Sequence, residues 1–394
     1  MLFRSIERGR SAPLRLDVLR PLFFFVTALF ISWVMGAISW DPRLPRPTNA
    51  TIVQGTQVAL FLLSFGIMLA GAGARLEEKW LKRWTVAAIV IAMLGVLAGM
   101  ASFRLPRPID LVQPPLGFGI VLLLAQLMFN PHLRKSVQLL GWAVAGFWVF
   151  VTFFTYRATF VGSWAPVVIG AAVLVWYRSR RLFAAAVAGV VALEVVYPAL
   201  FQSFIDTKDA TASFLRFPIW QDIVRMTLGS PLTMLFGLGP VNYIWYWLNP
   251  LFYAQSKALT GLAFVSVDNP GIFYAPPAHN MFVDIYAETG LVGMVLFVWL
   301  MLHIVRRSHS LARGTSPGFL RAYVLGVFAG FAGLAVTSGF AADWLIPFVY
   351  NITVSGFRLS VYAWLMIGTV LGLYARLPRT AGADAEVSTP AVSS

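Results

Sequence analysis

The chain has 394 residues, 59% of them hydrophobic and 12% charged, contains no Cys, and has a mean hydropathy of +0.76. A soluble domain carries about 25% charged residues, so a single water-facing core is excluded and lipid is the expected solvent. The formal charge of +14 is scattered singly between apolar runs, which speaks against nucleic acid as a partner; the lack of Cys excludes disulfides, thiolate metal sites and Cys nucleophiles.

A helix that crosses the hydrocarbon needs about 20 apolar residues. Reading for such runs predicts ten spans, near 20–40, 52–74, 84–101, 111–129, 136–155, 159–177, 182–201, 285–304, 320–339 and 357–375. The first exceeds the core of a signal peptide, about 7–15 residues, and reads as a retained helix. These runs divide the chain into an N-terminal bundle of about seven helices (1–200), a long loop (201–280), C-terminal membrane helices (281–376) and a polar tail (377–394). The tail is rich in Ala, Thr and Ser and reads as disordered.

Ten spans put both termini on one side, and the distribution of Lys and Arg selects which. One face collects every one of the 30 basic residues except Arg43, Arg46, Arg104, Arg107, Arg157, Lys208, Arg216, Arg225, Lys257 and Arg358. By the positive-inside rule that richer face is expected to be cytoplasmic. The excess positive charge is therefore an orientation signal rather than the mark of an acidic partner.

No phosphate loop of the GxxxxGK[ST] type, no HExxH helix and no DxD is visible, so neither nucleotide-driven nor metal-bound sugar chemistry is expected. Chemistry is expected instead in the loop 201–280, on the outer side, because long connections without a domain of their own are usually functional. Phe214 to Leu228 carries helix-spaced apolar residues, fitting either surface helices on the bilayer or a lid over a cavity. Arg216 stands four residues before Trp220, and Gly237, Leu238, Gly239 and Pro240 form a turn that lets backbone approach a phosphate closely.

PPAHNMFVDIYAETGLVG, from Pro276 to Gly293, brings His279 to the mouth of span eight with Asn280 as a helix cap. His279 is the one histidine of four that falls outside, and Asp284 and Glu288 share a helix face below it. Carboxylates entering an apolar span point into the bundle or a wet cavity. Arg157, in TYRATF, lies between spans five and six on the same side, and Asp343 follows span nine. Glu194 sits among apolar neighbours in span seven and reads as a buried partner or a neutral acid.

Arginine makes bidentate contacts to phosphate oxygens. Histidine accepts a proton near neutral pH. Converging above the outer leaflet, Arg157, Arg216 and His279 would suit metal-free transfer of a sugar from a lipid pyrophosphate to a hydroxyl.

The run His279–Asn280 followed by Gly290 resembles the signature of the O-antigen ligase and polymerase superfamily. Arg216-x-x-x-Trp220 with its following Ser-Pro-Leu and Gly-x-Gly-Pro is also similar to it. TYRATFVGSWAPVVIG resembles that family's Ser-Arg-Gly motif, with Tyr156 for Ser and Ala158 for Gly. The resemblance covers about residues 150–375. It implies an all-α polytopic integral membrane protein of about ten to twelve transmembrane helices, with a long periplasmic loop containing short amphipathic helices.

It further implies an inverting, metal-independent glycosyltransferase of the bacterial inner membrane that requires no cofactor, with termini cytoplasmic and the site facing the periplasm. The implied donor is an undecaprenyl-pyrophosphate-linked glycan and the implied acceptor a sugar hydroxyl of lipid A–core oligosaccharide, in lipopolysaccharide assembly. Carried over, His279 activates the acceptor, Arg157 and Arg216 bind the pyrophosphate, and Asp343 matches an acidic residue of the last outer loop.

The alternatives are a repeat-unit polymerase of O-antigen or exopolysaccharide and a transporter or flippase of lipid-linked glycan. A flippase should carry polar residues along its midplane, whereas these stand at the outer mouth. A peptidoglycan polymerase of the same topology resembles H-T-D-F at this motif, and Met281 departs from it. A protein oligosaccharyltransferase is disfavoured because no extra C-terminal domain is visible.

Overall fold

The computed structural model describes residues 16–42, 48–74, 77–102, 114–155, 161–197, 216–247, 278–340, 345–349 and 353–376. Among these the chain is all-helical, without a strand. A helix occupies each predicted apolar run: α1 (Leu16–Ile38), α2 (Ala50–Gly73), α3 (Glu78–Ser102), α4 (Pro114–Phe129), α5 (Lys135–Phe150), α6 (Val161–Arg178), α7 (Arg180–Val196), and, beyond the loop, α11 (Met281–Gly314), α12 (Phe319–Thr337) and α13 (Thr353–Arg376). Among the described residues of the loop lie three shorter helices, α8 (Arg216–Thr227), α9 (Pro231–Phe236) and α10 (Asn242–Trp247).

Six of the helices are long and apolar enough to cross a membrane: those at Leu19–Ile38, Ala50–Gly73, Glu78–Leu97, Lys135–Phe153, Met281–Gly314 and Phe319–Thr337. They support a multi-pass membrane protein. Two further apolar stretches, Gly117–Phe129 and Trp164–Arg178, are shorter. Helix α5 runs into a π-helical turn, Val151–Thr155, and α6 begins at Val161. The tail 377–394 and residues 201–215 and 248–277 of the loop lie outside the described residues, as does the side chain of Glu194.

Packing follows the rules of a lipid-solvated bundle, where small residues let backbones approach. Gly368 and Gly372 on α13 form a G-x-x-x-G pair against α2. A Cβ at either would lie 2.1 Å from the Met68 carbonyl oxygen or 2.4 Å from that of Ala72. Arg376 at the end of α13 then donates to the carbonyls of Ala74 (2.7 Å), Gly73 (3.1 Å) and Ala72 (3.2 Å). Its guanidinium satisfies the orphan carbonyls that close α2, where a cation also complements the helix dipole. Helix α12 is the central element, with buried residues on every face. Trp364 of α13 wedges edge-on to Phe65 and Phe331.

The loop helices fold back onto the bundle around their own apolar core. Ile219, Ile223 and Met226 of α8 meet Leu238, Val241, Tyr243 and Ile244, together with Ala278 and Ala287 of the following segment. The Ser-Pro-Leu run has a local explanation. Ser230 accepts from the Thr233 N–H and Thr233 accepts from the Ser230 N–H, with Pro231 opening the helix, a capping box with proline where its missing N–H is harmless.

Candidate functional site

The site is organised by the segment 278–281 that leads into α11. Asn280 caps that helix as the sequence predicts, its Oδ1 accepting from the N–H groups of Phe282 (3.0 Å) and Val283 (3.3 Å). Two further bonds fasten the segment from either side. Trp220 of α8 donates its indole N–H to the Ala278 carbonyl at 2.7 Å, and the Met281 N–H donates to the Ser338 carbonyl, just past α12, at 2.7 Å. Between these anchors His279 takes a left-handed backbone, φ 49°. Such a conformation in a non-glycine residue costs about 1–3 kcal/mol and persists only where the surroundings hold it.

Arg216 begins α8, one helical turn before Trp220. Its guanidinium reaches the Phe340 carbonyl at 3.5 Å and lies close enough to His279 for its charge to act on the imidazole. Burial first, and then the Arg216 charge, lower the His279 pKa from 6.5 to about 4. The imidazole is therefore neutral at pH 7, with a lone pair available to accept a proton. Thus Arg216 and His279, 63 positions apart in sequence numbering, come together, and Trp220 is the member that joins their two segments.

The glycine turn has a different use from the one its sequence suggests. Gly237 (φ 79°) and Gly239 (φ 89°) do make a sharp turn, but the close approach is to protein backbone rather than to a phosphate. A Cβ on Gly237 would stand 2.4 Å from the Glu288 carbonyl oxygen, and one on Gly290 would stand 2.4 Å from the Gly237 nitrogen. Gly290 itself breaks the helical geometry of α11, with φ 64° and ψ −166°. The kink turns carbonyls outward, and the turn answers them: Leu238 N–H donates to Ala287 O at 2.8 Å, and Gly239 N–H to Glu288 O at 3.1 Å. The final glycine of the His-Asn motif and the first glycine of Gly-Leu-Gly-Pro are thus two halves of one contact.

Asp284 and Glu288 are fully buried and act within the bundle. Asp284 accepts from the Tyr243 hydroxyl at 2.8 Å. Glu288 accepts from the Val241 N–H at 3.1 Å, steadying a β-branched residue held at φ 65°. These carboxylates tie α10 and the turn to α11.

Three contributors escape a reading of motifs. Tyr243 holds Asp284. Gln54 bonds Trp33 and Asn242, and Gln57 grips residues 345–349, donating to the Pro347 carbonyl at 3.2 Å and accepting from the Val349 N–H at 2.7 Å. The signal for the last two was available: two amides spaced i,i+3 inside an apolar run face the bundle interior. Arg157 and Asp343 lie outside the described residues.

No curated protein matches the chain. Residues 142–298, which contain Arg216, Trp220, the glycine turn and the His279 segment, match the family model described as O-antigen ligase.

Proposed function

We propose that the protein is an O-antigen ligase: a glycosyltransferase of the bacterial inner membrane that acts at the periplasmic face. In this reading it moves glycan from undecaprenyl pyrophosphate to a sugar hydroxyl of lipid A–core oligosaccharide. The observation that carries the reading is the placing of His279 beside the Arg216 guanidinium, their segments joined by the Trp220–Ala278 hydrogen bond. The acceptor hydroxyl gives its proton to His279 as its oxygen bonds the anomeric carbon. The bond from that carbon to the pyrophosphate oxygen breaks on the opposite face, which inverts the centre, and the electron pair leaves on the pyrophosphate.

Arg216 binds the pyrophosphate and neutralises the charge it gains, a type of stabilisation that is often the largest catalytic contribution. Arg157 and Asp343 complete the substrate-binding set. No metal or cofactor is needed, because the glycosyl phosphate bond already holds the energy. The test is reconstitution of the purified protein with a lipid-pyrophosphate glycan and separate acceptors. Transfer to lipid A–core supports the ligase reading, growth of repeat units makes it a polymerase, and movement across the bilayer without transfer overturns both.

A further inference from the structure

The far end of the bundle carries a cavity. Helix α11, kinked at Gly290, runs 34 residues from the His279 segment and ends at the connection to α12. There a cavity of about 490 Å³ opens between α4, α5, α6 and the start of α12. Its polar lining is Asn130, Gln138, Tyr177, Arg178 and Arg321, and among the described residues no carboxylate lines it.

The two arginines are unusual in their company. Among the described residues neither forms an ion pair, and the Arg321 Nε is buried without a hydrogen-bond partner. Arginine cannot shed its charge, and a buried donor without an acceptor is costly. The other polar groups already have partners, Tyr177 with His309, Asn130 with Gln126 and Gln138 with the Leu133 carbonyl, so the two guanidiniums are the groups that would meet an oxyanion. The volume matches a ligand-sized pocket.

The surroundings indicate where the oxyanion comes from. Leu139 and Leu140 follow Gln138 on α5 and are 74% and 66% exposed, while Trp176 beside Tyr177 on α6 is 46% exposed. Exposed apolar side chains thus stand on both helices that flank the cavity, one of them a tryptophan of the kind found at membrane interfaces.

We propose that this cavity binds the phosphate headgroup of an anionic membrane phospholipid, with Arg178 and Arg321 on the phosphate oxygens and the acyl chains along the exposed faces of α5 and α6. Basic pockets between membrane helices recognise such headgroups by paired guanidinium contacts. This site is separate from the His279 site and does not depend on the reaction proposed there.

The test is thermal unfolding of the full chain in neutral phosphatidylcholine nanodiscs, compared with nanodiscs containing added phosphatidylglycerol, and with inorganic phosphate as a separate arm. A ligand that binds only the folded state raises the midpoint. Phosphatidylglycerol is expected to raise it, and inorganic phosphate is not. Arg178→Gln together with Arg321→Gln should weaken the lipid effect about tenfold or more. Arg134→Gln, on the same basic end but outside the cavity lining, should leave it intact.

Should the double variant not fold, Arg178→Gln alone, at an exposed position, should weaken the effect severalfold. An undiminished lipid effect in the cavity variants, an equal loss in Arg134→Gln, or an equal rise with inorganic phosphate would each overturn the proposal.

Discussion

Trp220 donates its indole N–H to the backbone carbonyl of Ala278 at 2.7 Å, although 58 positions separate the two residues. This single bond joins the helix that presents Arg216 to the segment that presents His279. Replacing the ring nitrogen while keeping the ring bulk isolates its contribution. Trp220→Phe leaves the buried Ala278 carbonyl without its donor, a loss of about 1–3 kcal/mol. A lower unfolding midpoint in detergent and slower glycan transfer are expected together; a variant unchanged in both would show that the bond does not position the site.

Gly290 is the site of the tightest constraint. Gly290→Ala demands a left-handed backbone from a residue with a Cβ and places that Cβ 2.4 Å from the Gly237 nitrogen. Strain and overpacking each cost about 1–3 kcal/mol. The variant is expected to melt at a lower temperature and to lose protection of α9 and the glycine turn from hydrogen exchange; wild-type protection there would refute the interlocked contact.

The pH dependence follows from His279. Between pH 6.5 and about 4 the unfolded chain binds a proton that the folded imidazole does not, so this group makes stability fall as pH drops through that window. For the same reason the neutral base persists in acid. The acid limb of kcat/KM for glycan transfer should lie near pH 4 rather than 6.5. Arg216→Gln should move that limb upward by removing the nearby charge, though not to 6.5, because burial remains. A limb at 6.5 in the unmutated protein would show that His279 is not the titrating base.

Arg216→Lys separates charge from shape. A lysine retains the cation but offers a point charge instead of a planar fork. Loss of one charge-assisted bond is worth about 1.5–3 kcal/mol, or roughly 10- to 150-fold in transfer rate. Full activity would reduce Arg216 to an anchor for the Phe340 carbonyl.

The sequence revealed the helices more readily than the contacts between them. Long apolar runs announce their helices because lipid forces every backbone group to pair within the segment, and a helix lies at each predicted run. Crossing is a stricter matter: among the described residues six helices are long and apolar enough for it. Asn280 was legible as a cap because capping is local.

The role of Gly-Leu-Gly-Pro was not legible. A pair of left-handed glycines looks the same whether it meets a phosphate or another backbone, and only the kink at Gly290 decides between them. Glu288 and Asp284 could be placed in the bundle, but nothing local named Val241 and Tyr243 as the groups that meet them. The pairing of Arg216 with His279 depends on a tertiary hydrogen bond from Trp220, which no spacing rule encodes.

The central claim is that His279 takes the proton of the attacking hydroxyl. The most direct measurement is glycan transfer from a lipid-pyrophosphate donor to lipid A–core in proteoliposomes, using His279→Ala protein beside the unmutated chain at equal folded amounts. Transfer is expected to be abolished while expression and unfolding midpoint are retained. Transfer at the unmutated rate by the folded variant would contradict it.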